Sequence, residues 1–90
     1  MNRLLLSLIA LPFAAAAQTP IADLPVERLK AAYLACDHVS SQRPLMQDEA
    51  QLCLEVGETL KVRHFDGSFE RLIAWWRAEK QRAEALASNR

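Results

Sequence analysis

Ninety residues carrying eleven Lys and Arg, eleven Asp and Glu and two His have no net formal charge at pH 7. A balanced chain lacks the basic patch that a nucleic-acid partner requires, so that class of function drops out first. The length suits one small domain, a size that buries only about 60% of its unfolded surface and usually needs a covalent staple.

The N-terminus has a positive start at Arg3, an apolar run from Leu4 to Leu11, and an Ala15-x-Ala17 exit. Those are the parts of a secretory signal peptide over residues 1–17, cleaved after Ala17. The run is shorter than the roughly 20 apolar residues that span a bilayer. No Cys follows it, which argues against a lipid-anchored exit. The expected mature chain starts at Gln18 and keeps 73 of the 90 residues. Its expected address is periplasmic or secreted, where thiols oxidise. Its charge is mildly uneven: five basic against eight acidic residues from Gln18 to Gly67, then five against three to Arg90. That is ordinary surface.

Residues 18–23 read as a loose arm, flanked by Pro20 and Pro25. A three-helix domain is expected over residues 24–87, with 88–90 a frayed tail. The first helix runs from about Leu24 to Val39, with Asp23 as N-cap and Pro25 tolerated in the first turn. Val26, Leu29, Tyr33 and Cys36 draw its apolar stripe at spacings of three and four. Ser40 to Pro44 breaks the pattern. The second helix begins between Leu45 and Asp48 and ends near His64. Met46, Ala50, Cys53, Gly57 and Leu60 form its stripe, widened by Leu45, Leu52 and Val56. Acids at its start and Lys61, Arg63 and His64 at its end complement the helix dipole. Gly57 costs about 1 kcal/mol against Ala inside a helix, so it reads as a close-packing point. Phe65 to Gly67 is a tight turn, and Asp66 or Ser68 caps a third helix from about Phe69 to Leu86. Its face is Phe69, Leu72, Ile73 and Trp76, continued by Ala83.

The two cysteines, Cys36 and Cys53, suggest one disulfide in an oxidising compartment. An intermolecular bond, a redox pair and a metal site are the alternatives. Sixteen residues lie between the two, so there is no C-x-x-C, and no second ligand pair follows. Both sit on apolar stripes about equally far from the first connection. An antiparallel hairpin would bring them together, given Cα atoms within about 7 Å.

The adjacent tryptophans are the most distinctive feature after the N-terminus. Trp76 aligns with Phe69, Leu72 and Ile73, so it reads as core. Trp75 points about 100° away, beside Leu72 and Arg71. Trp75, Arg71 and Leu72 are therefore the candidate partner-binding residues, since Trp is enriched at binding hot spots. The competing reading has Trp75 covering the core edge with Arg71 stacked on its ring. His38 and His64 end different helices, roughly 25 Å apart at 1.5 Å per residue, and cannot share a metal. Ser40, Ser41 and Ser68 occupy turn or cap positions. Glu55 and Glu58 fall on the wet side of the second helix. No catalytic constellation and no cofactor is expected.

Cys36, Cys53 and the stretch Phe65-x-Gly67-x-Phe69-x-x-Leu72-x-x-Trp75-Trp76-Arg77 resemble uncharacterised short exported proteins of proteobacteria. The likeness covers most of the mature chain and implies a periplasmic setting without implying a mechanism. The resulting expectation is an all-α domain whose first two helices form a disulfide-pinned antiparallel hairpin. Its expected function is that of a non-enzymatic binding or accessory protein with a protein partner, existing as a monomer or weak homodimer. The rival is an envelope-stress or chaperone-like protein that exposes apolar surface conditionally. Peripheral membrane contact through the third helix is a weaker rival.

Overall fold

The computed structural model describes residues 19–89. The expected signal peptide, residues 1–17, lies outside them. Three helices follow one another: α1 (Val26–Ser40), α2 (Gln47–His64) and α3 (Phe69–Ser88). Among the described residues there is no strand, so the all-α expectation holds. The Cys36–Cys53 bond joins α1 to α2 with a Cα–Cα distance of 5.9 Å, as the hairpin geometry requires.

Local chemistry sets each boundary. Pro25, not Asp23, stands at the N-cap of α1. Its missing N–H costs nothing there, and its carbonyl accepts from Arg28 and Leu29 at 2.9 and 3.0 Å. Asp23 instead belongs to a single 3-10 turn, Ile21–Asp23. At the other end of α1, the Ser40 and Ser41 hydroxyls donate to the Asp37 and His38 carbonyls. The connection to α2 is clasped by Arg43, whose guanidinium donates to both Glu49 oxygens at 2.9 and 2.7 Å. Glu49 also accepts from the Met46 N–H at 2.9 Å, closing the first turn of α2. Between α2 and α3 the backbone turns through two left-handed residues, Asp66 (φ 54°) and Gly67 (φ 77°). Asp tolerates that region better than most side chains and Gly does so without strain. Ser68 then caps α3, its hydroxyl accepting from the Arg71 N–H at 3.2 Å.

Each helix contributes one leucine to the centre: Leu29 from α1, Leu60 from α2 and Leu72 from α3. Ile21, Leu24, Val26, Tyr33, Phe65 and Trp75 pack around them. Within the expected arm, residues 18–23, the segment Ile21–Asp23 is thus not loose but forms the 3-10 turn. Arg63 near the end of α2 donates to the Ala22 and Leu24 carbonyls at 3.1 and 2.6 Å, which holds the 3-10 turn over the core. Val56 is also buried, but no residue from Lys30 through Glu55 is. The hydrophobic core therefore occupies one pole of the hairpin and the disulfide secures the other. Met46 and Leu52, expected on the apolar stripe of α2, are exposed because they lie at that coreless pole.

The face that α3 presents to the core also differs from the expected one. Leu72 is buried as expected, but Trp75 is the tryptophan that packs against the leucine cluster, and Phe69 is 61% exposed. Apolar residues cover nearly half of the first turns of α3, from Trp75 round to Ile73. Helical period alone does not choose which part of so wide an arc is central. The choice falls to Phe65 and Tyr33, whose rings lie 5.8 and 6.0 Å from that of Trp75.

Candidate functional site

The sequence-derived trio of Trp75, Arg71 and Leu72 does not form a surface. Leu72 is only 2% exposed, so it is a core residue and no anchor of its own. Arg71 pairs with Asp66 at 2.9 Å, and the cation over the Trp75 ring is Lys30, at 5.7 Å. Trp75 itself is half-buried. Trp76, expected in the core, is also half-buried. Its ring sits under Lys80 at 5.1 Å, and Lys80 reaches on to Asp37 of α1 at 3.1 Å. Each tryptophan is thus covered by a lysine, a contact worth about 0.5–1 kcal/mol at exposed sites.

The surface with the chemistry of a docking site lies one step round α3 from the predicted one. Leu54 on α2 is 73% exposed and Phe69 on α3 is 61% exposed. Both line a shallow groove of about 190 Å³ with Tyr33, Gly57 and Leu72. Gly57 shapes it, because a Cβ there would stand 3.2 Å from Tyr33 Cε1. The glycine lets the phenol ring lie against the α2 backbone, so the expected close-packing point is real. Burial in the aromatic cluster, and secondarily the Asp37 carboxylate, raises the Tyr33 hydroxyl pKa above its ordinary value. Lys61 and Glu58 pair at 3.0 Å on the groove rim. Beyond Phe69 the apolar face continues to Ile73, flanked by Glu70 and Arg77. The periodicity of α3 marks Phe69 and Ile73 as apolar, but it assigns them to the core. Leu54 lies off the α2 stripe, and that off-stripe apolar position is the signal that could have marked its exposure.

A second groove of about 420 Å³ separates α1 from the C-terminal half of α3. Leu34, His38, Ala83 and Ala87 line it and the Asp37–Lys80 pair bridges it. Its α3 wall is largely alanine and charge, which offers little to anchor a partner. Two more recesses flank the disulfide, one including Leu45 and Ala50, the other Val39 and Leu52.

The remaining polar candidates are absorbed by local structure. His38 meets Gln42 at 3.2 Å, and His64 stands edge-on to Phe65 at 4.8 Å. The two imidazoles end different helices. Among the described residues no three His, Cys, Asp or Glu side chains cluster as metal ligands. No described helix is long and apolar enough to cross a membrane. No protein-family profile, curated protein or solved structure matches the chain.

Proposed function

We propose that this chain is an exported, non-enzymatic binding or accessory protein that acts through a protein partner. One observation carries the reading: Leu54 and Phe69 are both mostly exposed and meet at one groove floored by Leu72 and Gly57. Two large apolar side chains at the mouth of a depression are costly in water and have the form of a protein-recognition anchor. Export is supported by the charged start, apolar run and Ala15-x-Ala17 exit, and by a disulfide, which persists outside the reducing cytoplasm. The test is affinity purification from the periplasmic fraction with the wild type and the Phe69→Glu variant. A stoichiometric partner held by the wild type and lost from the variant is the expected result. Intact-mass analysis of the same sample should give a chain beginning at Gln18. A species retaining residues 1–17 would remove the basis for the address.

A second reading, conditional exposure of apolar surface, draws on the position of the disulfide. The bond secures the half of the hairpin in which no residue is buried. Reduction there would release the half-buried Val39 and Leu45 without first dismantling the leucine core.

A further inference from the structure

We propose that the occupant of this apolar face is a second copy of the chain, paired through α3 in antiparallel orientation about Ile73. The proposal rests on the reading that the Phe69 face is a docking surface, and it names the partner.

Phe69, Glu70, Ile73 and Arg77 line one open recess on the outer edge of α3. Phe69 and Ile73 are its apolar centre. Glu70 and Arg77 are both exposed, and neither makes an ion pair with another described residue. They stand seven residues apart, about 10 Å along the helix, beyond the reach of an i,i+4 pair. Two turns separate them, so they lie on the same edge with Ile73 between them. A two-fold axis through Ile73, perpendicular to α3, sets each Glu70 opposite the Arg77 of the other copy. Two ion pairs then close the ends of the interface while Phe69 and Ile73 fill its middle. An unrelated helix would have to carry the reciprocal charges by coincidence. A second copy carries them by symmetry, as an isologous interface demands. Leu54, exposed on the adjoining edge of α2, extends the apolar rim. The paired segment covers only about three turns. It falls short of the roughly 1,200–2,000 Å² of a standard stable interface, so the dimer should exchange rapidly rather than be obligate.

Charge reversal tests this on the oxidised, full protein by sedimentation equilibrium, with circular dichroism confirming that each variant keeps its helices. The wild type should show a concentration-dependent monomer–dimer equilibrium. E70R and R77E alone should each weaken association by about tenfold or more, because each places like charges opposite one another at both ends. An equimolar mixture of E70R with R77E should recover association, since both contacts between the two variants are again attractive. The double variant E70R/R77E should recover it too. A wild type that stays monomeric to about 1 mM, a dimer indifferent to both reversals, or a mixture that fails to recover would each overturn the proposal. None of these results touches the wider reading, which fails separately if Phe69→Glu retains the co-purifying protein.

Discussion

At the scale of single residues, the two tryptophans carry the sharpest contrast. Neighbouring positions on a helix point about 100° apart, so one faces the core more directly than the other. Here that one is Trp75, against Phe65 and Tyr33. Trp75→Ala should cost about 2–4 kcal/mol, toward the lower part of the range for large buried aromatics because the ring is half-exposed. In a domain this small that approaches the whole stability. Trp76→Ala should cost about 1 kcal/mol, removing a partly exposed ring and its contact with Lys80. Urea denaturation of both variants checks the order. Equal losses would mean that α3 buries both sides equally. Gly57 and Tyr33 form the other tightly matched pair. Tyr33 reads from the sequence as an ordinary stripe residue, and only the 3.2 Å approach to the position of a Gly57 Cβ explains why α2 accepts a glycine there.

At the scale of elements, α2 shows how a helix start is built without a capping side chain at the N-cap. Met46 occupies that position and contributes no cap hydrogen bond from its side chain. Glu49 reaches back to the Met46 N–H and is gripped by Arg43 from the connection before the helix. Those bonds, the Arg43 pair first and the Met46 amide second, lower the Glu49 pKa from 4.5 to about 2. Its pKa is lower in the folded than in the unfolded chain, so the clasp stabilises fully above about pH 4.5 and is lost as pH falls toward 2. The pair is exposed, and exposed ion pairs contribute little to global stability. The effect should therefore be local. A carboxyl titration followed by NMR should give Glu49 a midpoint near 2, and Arg43→Ala should raise it toward the ordinary glutamate value with little change in melting temperature. A wild-type midpoint near 4 would mean that the clasp does not persist in solution.

At the scale of the whole molecule, stability is divided between two poles of different chemistry. One holds Leu29, Leu60 and Leu72 with their aromatic surround, and Arg63 ties the N-terminal turn across it. The other holds the disulfide and half-exposed aliphatics. Removing such a bridge from a small secreted domain typically costs about 2–5 kcal/mol, and here the loss should be uneven. After reduction by a dithiol, amide hydrogen exchange should accelerate most between about Cys36 and Cys53 and least around Leu29 and Leu60. Uniform acceleration would show that the two poles unfold together. Among the described residues, residues 80–89 are all exposed. The last two and a half turns of α3 therefore rest on the Asp37–Lys80 pair and on helix propensity rather than on a core.

The sequence by itself determined the helices, their order and their covalent pin. Each is written locally: apolar residues at spacings of three and four, Pro25 and Ser68 at helix starts, Asp66-Gly67 where φ turns positive, and two cysteines equidistant from one connection. Three features depended on tertiary structure. The sequence pattern treats Asp23 as a cap, yet Pro25 takes that place and the preceding turn folds onto the core, because Arg63, forty residues later, donates to the Ala22 and Leu24 carbonyls. The pattern makes Trp76 and Phe69 core, yet α3 is rotated so that Leu72 and Trp75 face inward, because the rings already held by α1 and the α2–α3 turn decide which part of a wide apolar arc is covered. The candidate site follows from that rotation. Period describes one helix in isolation, whereas burial is settled only when neighbouring helices compete for the same apolar face, and what that competition leaves uncovered at the candidate site is Leu54 and Phe69.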